Sequence, residues 1–293
     1  MKKESLKTKE ETATSDMESI GNKQPKSILT VATIMCAALY AVGSFVTAYI
    51  PSPWGFGQFR PAVVIPAFFA VLFGPMPAGI GAAIGTLIAD SVKHGYLYPG
   101  SYLAAVPGNF IGFYLFGKLL RKKFNWGRFI LTSNVALTVA NLIVAFLYVF
   151  IFKTLYLGAL DLQMADLSFL SIGLTIWWFV TMLPFVLIVT PPLIRAAATA
   201  FPSIAPKDVK FHSLKQELPK KTFSLSMMVP GLIMLLIGLT ITYTDVGLYL
   251  STSFSETAYI IIETMCYISG IALVFLGILF YFGKGGLLHK PKK

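Results

Sequence analysis

The amino-acid sequence predicts an all-α membrane protein that crosses the bilayer several times. Hydrophobic residues make up 56% of the 293 residues, charged residues only 13%, and the mean hydropathy is +0.72. A soluble domain carries about 25% charged residues, so this chain lacks the polar side chains that would cover a water-soluble surface. The apolar residues also form long runs, and runs of about 20 residues are typical of membrane-spanning helices.

Eight apolar runs are candidates for spanning helices. The second and third have 13 residues each and are separated by Gly74-Pro75; as helices they would extend only about 20 Å. They therefore need polar extensions, a thinned bilayer or a re-entrant arrangement inside the protein. The eight predicted spans are Ile28–Ile50, Pro61–Phe73, Ala78–Asp90, Tyr102–Leu120, Phe129–Phe152, Phe169–Ile194, Phe223–Tyr243 and Thr257–Phe282.

The distribution of Lys and Arg predicts the orientation. The net charge is +11, with 24 Lys and Arg. With a cytoplasmic N-terminus and eight alternating spans, the inside segments carry six, five, six and four of these cations, 21 in all, and the outside keeps Arg60, Lys93 and Lys153. Cytoplasmic loops carry such an excess of Lys and Arg. We therefore predict a multi-pass plasma-membrane protein with both termini in the cytoplasm. A nucleic-acid partner is not expected, since the cations form no single patch interleaved with aromatic residues.

The chain divides into five predicted segments. The first 27 residues are polar and mixed in charge, which is typical of a disordered tail. A polar loop containing Pro202, Pro206 and Pro219 separates six spans from a terminal pair. The predicted organisation is a cytoplasmic tail (1–27), a six-helix membrane core (28–200), a cytoplasmic loop (201–221), a two-helix membrane appendix (222–283) and a second cytoplasmic tail (284–293).

The sequence carries no convincing catalytic or cofactor motif. Residues Gly112 to Lys118 match the first seven positions of a phosphate-binding loop, but Leu119 replaces the required Ser or Thr, and the stretch lies in an apolar span. The three histidines are scattered without metal-ligand spacing. No nucleophile-elbow or zinc-protease motif is present. We therefore predict no enzyme activity, no metal and no cofactor.

Polar and aromatic residues cluster on the predicted outer side, beginning in the first outer loop. This loop contains Trp54, Gln58 and Arg60. A guanidinium can hold a carboxylate or phosphate with two hydrogen bonds, or it can extend to lipid headgroups. Trp54 can stack on a flat ring or belong to the interfacial aromatic belt. We predict that all three residues contact a solute.

A carboxylate and two ring-bearing residues follow at the end of the third span. Asp90 at membrane depth is costly and is therefore a functional candidate. It can equally lie at the water boundary or pair with Arg60 or Lys93. The next loop is rich in Tyr and Gly and contains His94 and Tyr98, which can offer ring faces and a hydroxyl to a polar aromatic solute.

Two further polar residues lie inside predicted spans. Asn109 follows Pro107-Gly108 in the fourth span and can bind a ligand or a neighbouring helix. Glu263 in the eighth span has no obvious partner. The predicted substrate-binding residues are therefore Trp54, Gln58, Arg60, Asp90, His94, Tyr98 and Asn109.

Pairs of small residues four positions apart predict close contacts between helices, because they let two backbones approach. Such pairs occur on the first, third and fourth spans. They are Ala37 and Ala41, Gly81 and Gly85, and Gly108 and Gly112.

The order of these features is that of a known family. Ala37 and Ala41 lie on the first span, Phe73-Gly74-Pro75 separates the second and third, and Asn109-Phe-Ile-Gly112 lies in the fourth. The chain resembles the substrate-binding S component of energy-coupling factor (ECF) vitamin transporters. The likeness covers residues 28–125, and the fifth and sixth spans by hydropathy only. The family usually stops at six helices, and some members carry Asn in place of Asp90.

The resemblance implies a division of labour. The S component captures a vitamin or related micronutrient from outside, and a separate transmembrane T component and two ATPase subunits supply the energy. By match to the family, Ala37 and Ala41 would dock the T component. The outer loop after the first helix would form a lid over the ligand site.

Two other interpretations come from different classes of protein. One is a self-sufficient secondary transporter driven by an ion gradient, with Asp90 or Glu263 as the coupling carboxylate. The other is an integral membrane enzyme acting on lipid, which lacks a nucleophile–base pair or a metal cluster. For an S component, riboflavin-like, pterin-like and cobalamin-like ligands all remain open.

Overall fold

The computed structural model describes residues 24–52, 55, 57–253 and 256–283. Most of the predicted N-terminal tail, the whole predicted C-terminal tail and Trp54 lie outside these residues. Within them, every regular element is a helix, which confirms the predicted all-α membrane fold. The α-helices are α1 (Lys26–Val46), α2 (Val64–Phe73), α3 (Pro75–His94), α4 (Val106–Leu120), α5 (Trp126–Phe146), α6 (Met164–Ala200), α7 (Lys207–Lys215), α8 (Lys220–Tyr243), α9 (Asp245–Ser253) and α10 (Glu256–Phe282).

Three shorter turns extend these helices. A 3-10 turn, Pro61–Val63, leads into α2, and a π-helical turn, Ser101–Ala105, leads into α4. A longer π-helical segment, Leu147–Tyr156, continues α5. With these extensions, six of the described helices are long and apolar enough to cross a membrane: α1, α4, α5, α6, α8 and α10.

The two short predicted spans differ in how they are accommodated. α3 has 20 residues, because it begins at Pro75 and continues through polar residues to His94. The 13-residue apolar run therefore underestimated this helix, which reaches about 30 Å. α2 stays short, but none of its residues is exposed, since it packs among α1, α3, α4 and α6. A short helix is tolerated at membrane depth when protein surrounds it.

A sharp turn separates α2 from α3. Gly74 has φ +86°, in the region that favours glycine, and Pro75 begins α3 at a position where its missing N–H costs nothing. α4 presses on this turn: a methyl group on Gly117 would lie 2.6 Å from the backbone nitrogen of Pro75. Gly74 and Pro75 thus reverse the chain direction in a tight turn, against which α4 can pack closely.

The predicted small-residue contacts hold α1, α3, α4 and α5 together. A methyl group on Gly85 would lie 2.7 Å from the carbonyl oxygen of Ala37, and one on Gly112 would lie 2.3 Å from Cβ of Ala140. Such distances are too short for a side chain, so these helix pairs approach at backbone distance. The close contact with α3 also buries Ala37 and Ala41, which are 6% and 7% exposed.

The terminal pair, α8 and α10, packs mainly on itself. The Ser224 hydroxyl donates to the carbonyl oxygen of Gly277 at 2.6 Å, and a methyl group on Gly231 would lie 2.9 Å from the carbonyl oxygen of Gly270. On the α5 side, Asn134 Nδ2 donates to Ser226 Oγ at 3.1 Å. The pair therefore lies alongside α5 and α6, and its separation as an appendix stays a prediction.

Candidate functional site

A cavity of about 270 Å³ lies at the end of the bundle where α1 and α3 end. The loop after α1, the end of α3, the start of α4, the end of α5 and the middle of α6 form its walls. The fold brings together the six predicted site residues that the structure describes, although they are spread over 52 positions. Those lining the cavity are Gln58, Arg60, Asp90, His94, Tyr98 and Asn109.

A buried ion pair lies between the loop after α1, which is the predicted outer loop, and α3. Arg60 and Asp90 are 7% and 3% exposed, and Arg60 Nη2 pairs with Asp90 Oδ1. Arg60 Nη1 also donates to the Thr86 hydroxyl of α3. The guanidinium is therefore directed into the protein and not towards lipid headgroups, and Asp90 takes up the pairing that the sequence left as one alternative.

Gln58 and Lys93 extend this network to the end of α1. Gln58 Nε2 donates to Asp90 Oδ1, and Lys93 Nζ donates to Gln58 Oε1 at 3.2 Å. Lys93 Nζ also donates to the carbonyl oxygen of Ala48 at 2.5 Å. These bonds hold the outer loop against α3, so the loop covers one side of the cavity.

Aromatic rings form a flat part of the wall. The rings of His94 and Tyr98 stack with centroids 3.7 Å apart and planes inclined by only 3°. The Tyr98 hydroxyl lies 3.3 Å from that of Tyr148, and His94 Nδ1 lies 2.7 Å from the backbone oxygen of Asp90. Parallel rings fixed in this way present a surface on which another flat ring can pack.

Two asparagines face the cavity from neighbouring helices. Asn109 of α4 is buried, and so is Asn141 of α5. Among the described residues, Asn141 Nδ2 has no hydrogen-bond partner, and neither does the Ser101 hydroxyl at the start of α4. Buried donors are almost always satisfied, and an unmade bond costs about 1–3 kcal/mol. Asn141 and Ser101 differ from the other buried side chains that lack a described partner in that they line the cavity, where a polar ligand can supply these bonds.

Several lining residues were missed from the sequence. Tyr148 and Lys153 come from the π-helical segment of α5, and Trp178 comes from α6. Two of these residues could have been found from the sequence. Asn141 is an amide in an apolar run, and Lys153 is one of the three cations predicted to lie outside. Trp178 could not be found in this way, because a tryptophan in a spanning helix usually faces lipid or core. Its indole Nε1 donates to the backbone oxygen of Gln58 at 3.0 Å.

Trp178 also requires a glycine in the loop. Gly57 has φ +77°, and a methyl group there would lie 2.9 Å from Trp178 Cζ2. Gly55 has a similar φ of +75°, but no described atom lies within 4 Å of its methyl position. Both glycines thus have a positive φ that disfavours a side chain, but only at Gly57 would a methyl group also clash with a neighbouring residue.

We expect Gly57→Ala to be less stable than Gly55→Ala by about 1 kcal/mol, the lower end of the cost of overpacking. The indole must shift to admit the methyl group, and the bond to Gln58 weakens with it. Thermal unfolding of the two purified variants measures this difference. Equal melting temperatures would show that Trp178 does not fix the loop.

The other intramembrane carboxylate lies away from the cavity. Glu263 of α10 accepts a hydrogen bond from the Thr242 hydroxyl of α8 at 2.5 Å, and Tyr267 lies 2.7 Å from the same hydroxyl. The sequence showed no obvious partner for Glu263, and packing of the terminal pair supplies one. Glu263 is absent from the cavity lining.

A known protein family matches the part of the chain that contains the cavity. The family model for the ECF-type riboflavin transporter, S component, matches residues 25–198. No curated protein and no solved structure matches the chain. The matched range runs from the start of the described helices to the last turn of α6, and it contains every residue that lines the cavity. The terminal pair lies outside it. This chain therefore belongs to the ECF-type riboflavin transporter S component family.

Proposed function

We propose that the chain is the substrate-capture subunit of an ECF-type ABC importer and that its substrate is riboflavin. The observation that carries the proposal is the set of buried donors without described partners, Asn141 Nδ2 and Ser101 Oγ, in the cavity that the matched family range encloses. Both atoms belong to residues that line the cavity, where a polar ring system can supply the hydrogen bonds they lack.

The chemistry of the walls suits a flavin. The isoalloxazine ring is flat and uncharged and carries carbonyl oxygens and ring nitrogens that accept hydrogen bonds, and its ribityl chain carries hydroxyl groups. The amides of Asn109 and Asn141 can pair with the polar edge of the ring. The stacked rings of His94 and Tyr98 offer a flat surface beside it. Orientation by a few polar groups in a partly aromatic pocket is typical of small-molecule sites.

The Arg60–Asp90 pair favours a neutral solute over one with an acidic tail. The guanidinium is already bound by Asp90 and Thr86, so an anionic group would have to displace a buried carboxylate. A cavity of about 270 Å³ also favours a ligand much smaller than a cobalamin. Direct contact of Arg60 with the solute stays a prediction, and we propose that the residue positions the loop.

Energy for release must come from partner subunits in this proposal. The Gly112–Lys118 stretch is helical in α4, and Gly112 packs against Ala140, so it offers no free backbone to cradle a phosphate. We propose a T component and two ATPases as the partners. The predicted orientation, with both termini cytoplasmic, places the cavity on the outer side, where a captured vitamin arrives.

The docking role of Ala37 and Ala41 stays a prediction. Both residues are buried, whereas Ile34, Ala38 and Val42 on the same helix are exposed. We propose that the T component binds this outward face of α1. Ala37 and Ala41 would then set the distance between that face and α3.

Purification and co-expression test the proposal. Protein purified from cells grown with riboflavin should release an equimolar amount of riboflavin on denaturation, identified by mass spectrometry. Co-expression with ECF T and ATPase subunits should yield a stable complex that takes up riboflavin with ATP in liposomes. Uptake by this chain alone, driven by an ion gradient, would instead support a secondary transporter with Asp90 or Glu263 as the coupling carboxylate.

A further inference from the structure

The short helix α7, which lies between two membrane-spanning helices, has a face that the protein leaves uncovered. α6 ends at Ala200, α7 covers Lys207–Lys215, and α8 begins at Lys220. Because α6 and α8 are both long apolar helices, the segment joining them lies at a membrane surface. This surface is at the end of the bundle opposite the cavity, beside the start of α5.

The inner side of α7 is fixed to the rest of the protein. Val209 and Ser213 are fully buried, and Asp208 Oδ2 accepts a hydrogen bond from the backbone N–H of Phe124 at 2.8 Å. Directly after the helix, the backbone oxygen of Gln216 accepts from Trp126 Nε1 at 3.1 Å. These contacts fix the orientation of α7, so the same residues always form its outward face.

That outward face combines apolar and basic side chains. Phe211 and Leu214 lie one helical turn apart and are 49% and 44% exposed. Lys207, Lys210 and Lys215 are exposed around them, and Lys215 Nζ lies 5.1 Å from the centre of the Phe211 ring. The carboxylates on or beside α7 are Asp208, whose carboxylate bonds to the Phe124 N–H, and Glu217. The face thus carries an excess of positive charge.

We infer that α7 binds anionic phospholipid in the adjacent leaflet. Phe211 and Leu214 lie in the boundary between headgroups and acyl chains, and the three lysines contact lipid phosphates. A helix with an apolar stripe flanked by Lys binds the membrane interface in this way, since buried apolar area and attraction to anionic lipid act together. Lysine stems also cover apolar surface while their ammonium groups reach the headgroups.

Lipid preference of the 293-residue chain tests this inference. The chain is placed in nanodiscs of phosphatidylcholine alone or of equal parts phosphatidylcholine and phosphatidylglycerol. We expect a higher melting temperature with phosphatidylglycerol, and retention of this lipid in native mass spectrometry. The triple variant K207E/K210E/K215E should lower the apparent affinity for phosphatidylglycerol about a hundredfold, because each of the three lysines near an anionic surface contributes about fivefold.

A matched control separates a site on α7 from general surface charge. The variant R121E/K122E/K123E makes the same charge change on exposed residues of the neighbouring loop. It should keep most of the preference for phosphatidylglycerol, while helix content by circular dichroism stays that of the parent in both variants. An equal loss in the two variants, or a parent protein without any lipid preference, overturns the inference. Neither outcome depends on riboflavin binding.

The depth of α7 gives an independent measurement. A nitroxide on Leu214→Cys should collide more with oxygen than with a water-soluble nickel chelate, and the reverse should hold for Gln216→Cys, which is also exposed. The two native cysteines, Cys36 and Cys266, are buried and label slowly. Preferential collision with the nickel chelate at both positions would place α7 in water and contradict the inference.

Discussion

Replacing Arg60 with Met is expected to destabilise the protein by about 3–5 kcal/mol, because it leaves the buried Asp90 carboxylate without its cation. Asp90→Leu should cost a similar amount, since the Arg60 guanidinium would then be the uncompensated charge. Replacing both, as R60M/D90L, should restore much of the loss, because removing a buried pair together leaves no unpaired charge. Thermal unfolding of the three variants in one detergent gives a double-mutant cycle for the pair.

Arg128 supplies the control for this experiment. It is exposed and donates to the backbone oxygen of Lys123 at 3.2 Å, so Arg128→Met should change stability by less than about 0.5 kcal/mol. If Arg60→Met melts like the parent, the pair does not stabilise the outer loop. If Arg60→Met melts like the parent and also loses riboflavin, the residue contacts the solute directly, as the sequence alone suggested.

Asn141→Leu is expected to weaken riboflavin binding by about 1–3 kcal/mol, which is roughly 5- to 150-fold in Kd. The amide donates to the flavin in our proposal, and leucine leaves the polar edge of the ring without that partner. Quenching of flavin fluorescence on titration with protein measures the change.

Asn134 is the matched control, because it lies on α5 two turns before Asn141. Its amide is bonded to the Ile130 backbone oxygen at 2.8 Å and to Ser226 of α8 at 3.1 Å. Asn134→Leu should keep the affinity for riboflavin and loosen the attachment of α8. Equal losses of affinity in the two variants would assign the effect to α5 packing and remove Asn141 from the site.

The helical membrane fold was predictable because it follows from the length of continuous apolar runs in the sequence. An apolar run long enough to cross a bilayer must form a helix there, since lipid satisfies no backbone hydrogen bonds. The ends of α3 were not predictable from hydropathy, because Ser91, Lys93 and His94 continue the helix with polar side chains. The spacing of Gly85 and Gly112 predicted that both would lie at close helix contacts. It did not predict which helix each would contact.

About a third of the residues that line the candidate site were visible for a similar reason. Gln58, Arg60, Asp90 and Asn109 are polar residues in or beside apolar runs, and such residues are costly unless something binds them. Tyr148 and Trp178 are residue types that are common in membrane helices, so the sequence does not mark them. They line the cavity only because of how α5 and α6 are rotated about their own axes. That rotation is set by packing between helices, which hydropathy does not encode.

The sequence by itself determined that this chain is a polytopic membrane protein, with its polar candidates gathered at one end of the first four spans. The tertiary structure decided which of them pair. Arg60 and Asp90 are 30 positions apart, and they meet because the loop after α1 folds onto α3. Composition shows that a buried charge needs a partner. Which residue becomes that partner depends on how closely the helix backbones approach at residues such as Gly85. The same approach turns Ala37 and Ala41 inwards, which their spacing alone could not reveal.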